Sequence, residues 1–266
     1  MITTELYNGQ GPGDQTWVYL LTRYLAKVLG YSFGIGHPER WKLSNLSLDF
    51  GEEVLGGVSP EGGPPKELPQ SITKYYKEEQ VYHKDFVDCN ISPLDKKLFS
   101  LDDNTKIEGG FHYGSVVSKE DELFKEWLGL DEIEKKNPVI PGKVICNIRG
   151  GEYRNVPDLI LPKRYWDMCL DRLGNPKVEI VTDDPEYALS LVPEGELFLG
   201  NILESYERLF TAETLVISNS TFGYFPAALG PSKTVLAPKY WNRWNVSTGF
   251  WSCGDEKCDK FTYIER

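Results

Sequence analysis

Apolar and polar positions follow two different rhythms along this chain of 266 residues, with a change near residue 138. In the later stretch, short β-branched runs are each followed by a segment with helical spacing. KVICNIRGG (143–151) ends in glycines and reads as a strand. LPKRYWDMCLDRLG (161–174) reads as a helix, with Pro162 suited to its first turn and Gly174 to its end. VEIVTDD (178–184), ELFLG (196–200) and TLVISN (214–219) read as further strands, and KTVLAP (233–238) as the last one. PEYALSLV (185–192), ILESYERLFTAE (202–213) and TFGYFPAALG (221–230) read as the helices between them. Strands separated by helices of this length predict a parallel sheet covered on both faces, an α/β Rossmann-like domain over 139–266.

The earlier stretch opens in the same way. ITTELYN reads as a strand, GQGPGDQ (9–15) as a glycine-rich loop, and TWVYLLTRYLAKVLG (16–30) as an amphipathic helix ending at Gly30. Tyr31 to Ile35 fits a second strand. The pattern then loosens: GGVSPEGGPPKELPQ (56–70) is a loop by composition. SITKYYKEEQ (71–80) and SKEDELFKEWLGLDEIEKK (118–136) read as polar helices, with the charge run at 119–125 a solvated face. KKNPVIPGK (135–143) reads as a linker, so residues 1–138 form an N-terminal Rossmann-like domain.

Composition narrows the possibilities. Apolar residues at 40% and charged residues at 26% are ordinary for a soluble globular protein. No apolar run approaches the ~20 residues of a membrane span, and the first residues lack the pattern of a signal peptide. Cytoplasmic residence is the expectation. The net charge of −11 weighs against nucleic-acid and anionic-membrane partners, because the overall field repels phosphate backbones. A small anion would need a local pocket of N–H groups and an arginine. Cys89, Cys146, Cys169, Cys253 and Cys258 are odd in number and scattered, which predicts plain thiols. His37, His83 and His112 stand apart and no D-x-D occurs, so no metal site is expected.

Candidate chemistry collects at strand ends, where open parallel sheets bind ligands. The segments are Asn147-Ile148-Arg149-Gly150-Gly151-Glu152, Thr182-Asp183-Asp184, and Ser218-Asn219-Ser220-Thr221-Phe222. The last opens a helix, whose N-terminus offers unpaired N–H groups and partial positive charge to an anion. Alternatively, Ser218 or Ser220 simply caps that helix. Arg149 can fork onto phosphate oxygens, or else pair with Glu152 or Asp183. The loop from Gly9 through Gly11 and Gly13 has G-x-G-x-G spacing, which is neither a dinucleotide fingerprint nor a P-loop.

These segments, in order, resemble the α-1,2-fucosyltransferases and the wider set of GDP-fucose-using inverting transferases with the GT-B fold. The resemblance is carried by Gly13-Asp14-Gln15, Asn147-x-Arg149-x-Gly151-Glu152-Tyr153, Thr182-Asp183-Asp184-Pro185-Glu186, Ser218 to Phe222, and Ala237-Pro238-Lys239-x-Trp241. Departures stand at Asn147, where the family has histidine, at Gly150, where it often has a second arginine, and at Glu152, where it has aspartate. Asp14 replaces an asparagine, and Gly223-Tyr224-Phe225-Pro226 replaces an S-W-W stretch.

The resemblance implies a GT-B type fold, two Rossmann-like domains facing a central cleft. It further implies inverting, metal-independent transfer of a sugar, fucose from GDP-fucose foremost, to a glycan hydroxyl. No cofactor is implied beyond the donor itself. Arg149 and Ser218, Asn219, Ser220 and Thr221 would hold the leaving diphosphate. Asp183 and Asp184 would accept hydrogen bonds from ribose or base, with Gly11, Gly13, Gln15, Asn147 and Phe222 completing the donor site. Asp14 is the first candidate for the base and Glu152 the second, although Asp14 also suits a helix N-cap. Tyr75, Tyr76, Phe111, His112 and Tyr113 offer aromatic faces to an acceptor, or belong to a core. The departures keep open a non-catalytic nucleotide-sugar or glycan-binding protein. A nicotinamide-dependent oxidoreductase is disfavoured by the glycine spacing.

Overall fold

The structure, a computed structural model, describes residues 1–54, 72–78, 94–157, 159–239 and 258–265. These divide into two compact units, one ending at His112 and the other starting at Tyr113. The helical segment up to Lys136, grouped by its pattern with the N-terminal stretch, lies in the second unit.

The first unit holds a four-stranded sheet of β1 (Ile2–Glu5), β2 (Phe33–Gly36), β3 (Lys74–Lys77) and β4 (Thr105–Glu108). The order is β2-β1-β4-β3 and every pair is parallel. Helix α1 (Pro12–Leu29) joins β1 to β2 and buries Trp17, Leu20, Leu21 and Leu25. It stops at Gly30, which adopts φ +74°, a left-handed conformation that glycine takes without strain. The helix begins earlier than the apolar periodicity predicts. Pro12 supplies a preset φ at the first position, so Gly13, Asp14 and Gln15 form the first helical turn and not a loop. A second correction concerns Lys74–Lys77, expected in a polar helix and found as the strand β3. Its pairing with β4 is decided by a distant stretch of chain, and local charge content says nothing about that.

The second unit begins with α2 (Gly114–Lys119), α3 (Asp121–Leu128) and α4 (Leu130–Lys136). Gly129 at φ +61° ends α3 and splits what the sequence pattern suggests is one helix. The sheet is built from β5 (Ile140–Ile148), β6 (Glu179–Thr182), β7 (Glu196–Leu197), β8 (Ala212–Ile217), β9 (Thr234–Pro238) and β10 (Phe261–Ile264). β5 starts inside the expected linker, and β10 extends the sheet beyond the strand expected to be last. Its order is β10-β9-β8-β5-β6-β7, again all parallel.

Helices α5 (Lys163–Arg172) and α6 (Pro185–Leu191) cover one face, packing Tyr165, Trp166, Cys169 and Ala188 on Val144, Cys146, Ile148 and Val216. Helices α7 (Ile202–Leu209) and α8 (Thr221–Leu229) also pack against the sheet, with Tyr206, Leu209, Tyr224 and Phe225 buried. α7 starts on a capping box in which Asn201 and Glu204 bond reciprocally to backbone N–H groups. Cys146, Cys169 and Cys258 are free and buried, and burial raises all three thiols, Cys169 to about 12. Cys89 and Cys253, the other two cysteines expected to be plain thiols, lie outside the described residues. No helix among the described residues is long and apolar enough to cross a membrane.

One polar contact sits deep in the first unit. Lys106 Nζ lies 3.1 Å from Glu5 Oε1, with side chains 3% and 4% exposed. Removing one partner of such a pair strands the other charge in the interior, at about 3–5 kcal/mol. Lys106→Met is therefore expected to lower the free energy of urea unfolding by about that amount. The double variant Glu5→Gln/Lys106→Met is expected to regain much of it, since no lone charge remains.

Candidate functional site

The order of the second sheet reverses at β5. From β5 the chain proceeds to β6 and β7 on one side, then returns to place β8, β9 and β10 on the other. In open α/β sheets the crevice for ligands forms at such a switch point, beyond the carboxyl ends of the two strands. Here those strands are β5 and β8, paired from Val144↔Thr214 to Asn147↔Ile217. The turn carrying Arg149 leaves β5, the Ser218–Ser220 turn leaves β8, and Asp183 and Asp184 follow β6, with Ile148 beside Thr182. Three segments far apart in the chain are thus brought to one edge.

The Arg149 turn and the Asp183-Asp184 segment are tied closely. Arg149 donates from Nη1 to Asp183 Oδ2 at 2.5 Å and from Nη2 to Glu152 Oε1 at 2.6 Å. Its guanidinium also lies over the Tyr153 ring, 5.1 Å from the centroid. Both pairings open to it in the sequence are realised together. The two glycines after Arg149 bond to the same aspartates. Gly150 N–H donates to Asp183 Oδ1 at 2.8 Å, and Gly151 N–H to Asp184 Oδ2 at 3.3 Å. A Cβ on Gly150 would stand 2.5 Å from the Asp184 Cβ, and Gly151 sits at φ +44°. The glycines let the turn close onto the two aspartates.

Asp184 also caps α6, accepting from Tyr187 N–H at 3.2 Å, and takes Arg154 Nη1 at 3.2 Å. Desolvation opposes its charge, but the Tyr187 N–H, Arg154 and the Gly151 N–H outweigh that and hold the carboxyl below its ordinary range. Both aspartates are thus engaged within the protein. Glu152 is 76% exposed and pairs with Arg149.

The turn after β8 is anchored from behind. Tyr165 Oη donates to Ile217 O at 2.7 Å, and Asn219 Nδ2 donates to Leu159 O at 2.8 Å. Ser220 is the N-cap of α8, its Oγ accepting from Phe222 N–H at 3.4 Å. The capping alternative therefore holds for Ser220, and Asn219 serves the fold. Ser218, Asn219 and Ser220 are buried, whereas Thr221 and Phe222 are half-buried at the helix tip. Phe222 packs edge-on against Tyr206, with centroids 5.6 Å apart. Asn147 is buried on β5 and donates from Nδ2 to Val181 O at 3.2 Å. Its Oδ1, and the Oγ of Ser218, are buried polar atoms without a hydrogen-bond partner among the described residues. Orphaned acceptors are uncommon in native interiors, and two sit here at the switch point.

In the first unit, Gly11 is the N-cap of α1 and Gly13 is buried in its first turn. Gln15 is also buried, donating from Nε2 to Arg40 O at 2.8 Å and accepting Lys42 N–H at 3.0 Å. Its amide holds the 40–42 backbone in place of the donor contact expected. Asp14 is not the N-cap. Its Oδ1 lies 3.5 Å from His112 Nε2, a partner the spacing of isolated histidines did not reveal. Phe111 and Tyr113 are buried core residues, and Tyr75 and Tyr76 donate their hydroxyls to Glu108 and Asp95 at 2.5 and 2.7 Å. His37 meets Glu39 at 2.8 Å, and His83 lies outside the described residues. No group of three or more His, Cys, Asp or Glu suited to a metal occurs among the described residues.

Gly223, in the first turn of α8, packs directly on Asn147 Oδ1, where a methyl group would collide. Gly223→Ala is expected to destabilise the protein by about 1–3 kcal/mol, seen as a lowered melting temperature. The same change in an Asn147→Ala background is expected to do less damage, because the colliding oxygen is gone.

No family model matches the chain, and no curated protein matches it in sequence. Among solved structures it is similar to the fucosyltransferase NodZ from Bradyrhizobium, at 13% identity and TM-score 0.46, covering 86% of this chain and 93% of that one. It is similar to the E. coli heptosyltransferase WaaC with ADP, at 15% identity and TM-score 0.46, covering 89% and 87%. It is also similar to POFUT1 in complex with GDP-fucose, at 12% identity and TM-score 0.38, covering 87% and 95%. At these scores the reading of the site rests on its own residues.

Proposed function

We propose that the chain is a glycosyltransferase of the GT-B type whose second unit holds a nucleoside diphosphate-sugar, and that transfer inverts the anomeric carbon without a divalent metal. The supporting observation is the strand reversal between β5 and β8, which sets the Arg149 turn and the tip of α8 on the two sides of one switch point. A guanidinium and a helix N-terminus are both anion-seeking, and both would strengthen their hold as negative charge grows on the departing diphosphate. The motif order described above favours a GDP-sugar, with fucose as the sugar.

The roles then follow. Arg149 and the Thr221 N–H at the tip of α8 stabilise the leaving group, and the buried polar atoms of Asn147 and Ser218 lie beside it. Asp14 takes the proton of the acceptor hydroxyl, whose oxygen bonds to the anomeric carbon as the bond to the β-phosphate oxygen breaks. The electron pair leaves with the nucleoside diphosphate. Glu152 already engages Arg149, which makes it a poorer base than Asp14. That same engagement favours the second reading, a nucleotide-sugar binder without turnover. GDP released from GDP-fucose separates the two.

Arg149→Ala is expected to cut that release by about 10²–10³-fold. The fold is expected to survive, because Asp183 and Glu152 both reach solvent and lose only a partly exposed ion pair. Unchanged release would remove Arg149 from the mechanism. Activity is also expected to persist in EDTA, and a strict requirement for added manganese would contradict the arginine-based stabilisation.

A further inference from the structure

The first sheet has a switch point of its own. β1 leads through α1 to β2 on one side, while β4 lies on its other side. Asp14 stands in the first turn of α1, after β1, and His112 follows β4. The two meet across that switch point, Nε2 to Oδ1, at 3.5 Å.

They are not equivalent. The Asp14 side chain is 41% exposed, the His112 side chain 15%, and both ring nitrogens are shut off from solvent. The ring leans on Trp17, with centroids 5.4 Å apart. Its backbone is pinned in turn. The Glu78 carboxylate accepts N–H groups from Gly110 at 2.9 Å and Phe111 at 3.0 Å. Phe111 sits at φ +53° with its ring fully buried, a conformation that persists only where surroundings impose it. The His112 ring therefore cannot reach a ligand, but it can fix the group that does.

We propose that His112 is a positioning residue for Asp14, presenting an Nε2–H to Oδ1 and so fixing the orientation of the carboxylate that takes the acceptor's proton. The inference rests on the transferase reading for what Asp14 does, and on the geometry above for how it is held. The separation is an ion-pair distance, and such contacts commonly tighten once substrate is bound. The tautomer is the one the facing carboxylate selects.

Two variants separate this role from packing. His112→Phe keeps a ring against Trp17 and deletes the donor, whereas His112→Gln restores an N–H near the Nε2 position. With GDP-fucose as probe and water as acceptor, His112→Phe is expected to lower kcat by about 10–100-fold with KM unchanged. His112→Gln is expected to recover most of that loss, and Asp14→Asn/His112→Phe to be no slower than Asp14→Asn alone. Unchanged kcat in His112→Phe, equal damage in His112→Gln, or additive losses in the double variant would each overturn the proposal. Should the wild type release no GDP, the transferase reading fails, and the pair is judged by imidazole 15N spectra of the free protein. An Nε2-protonated His112 whose signals shift in Asp14→Asn supports the pairing. Signals indifferent to Asp14→Asn refute it.

Discussion

The pairing of β5 with β8 is the constraint on which the second unit depends. It makes β5 an interior strand flanked on both sides by later strands: β6 and β7 spread to one side, and β8, β9 and β10 to the other. Two connections that depart from a shared edge toward different sides leave a gap between them. The residues of the candidate site gather there: a short 3-10 turn with a left-handed glycine, a capped helix tip, an arginine and two aspartates. The opposite edge is ordinary by comparison. Glu179, at the start of β6, is held by Arg208 at 2.6 and 2.8 Å and by Lys143 at 2.6 Å. A fixed amino edge and an irregular carboxyl edge divide the labour of stability and chemistry between the ends of one sheet.

The polar network at the carboxyl edge is nearly closed on itself. Asp183 accepts from Arg149 and from Gly150, while Asp184 accepts from Gly151, Tyr187 and Arg154. Such mutual satisfaction holds the Arg149 turn in one shape before any ligand arrives, so the cation is oriented in advance. The exposed Glu152 is the loosest member, on a short 3-10 turn facing solvent. The diphosphate of the proposed donor would compete with that carboxylate first, and displacing an exposed partner costs little.

How much of this was legible in the sequence depends on the range of the interaction. The alternation from 143 to 238 displayed five strands and the helices between them, because β5, β6, β8 and β9 carry buried apolar runs that local pattern records. β3, β4 and β10 escaped: each is four residues long, and each owes its existence to partner strands. Arg149, Asp183, Asp184 and Ser218–Phe222 could be collected from the sequence because strand ends converge by topology. Their contacts could not. Nothing in the spacing foretold that Gly150 and Gly151 serve aspartates after another strand, that Gln15 holds residues 40–42, or that His112 stands behind Asp14. Each of these contacts joins stretches of chain whose proximity only the folded sheet creates.

The outermost strand carries a consequence for the helix at the carboxyl edge of the sheet. Phe261 of β10 meets Tyr224 of α8 edge-on, with centroids 5.5 Å apart, and Tyr224 has no exposed surface. β10 is thus a buttress for α8 as well as a border of the sheet. A chain cut before Phe261 would keep every residue of the β5–β8 crevice and still lose the wall against which its helix is braced. Fragments trimmed to the apparent boundary at β9 would therefore be misleading surrogates for the intact protein.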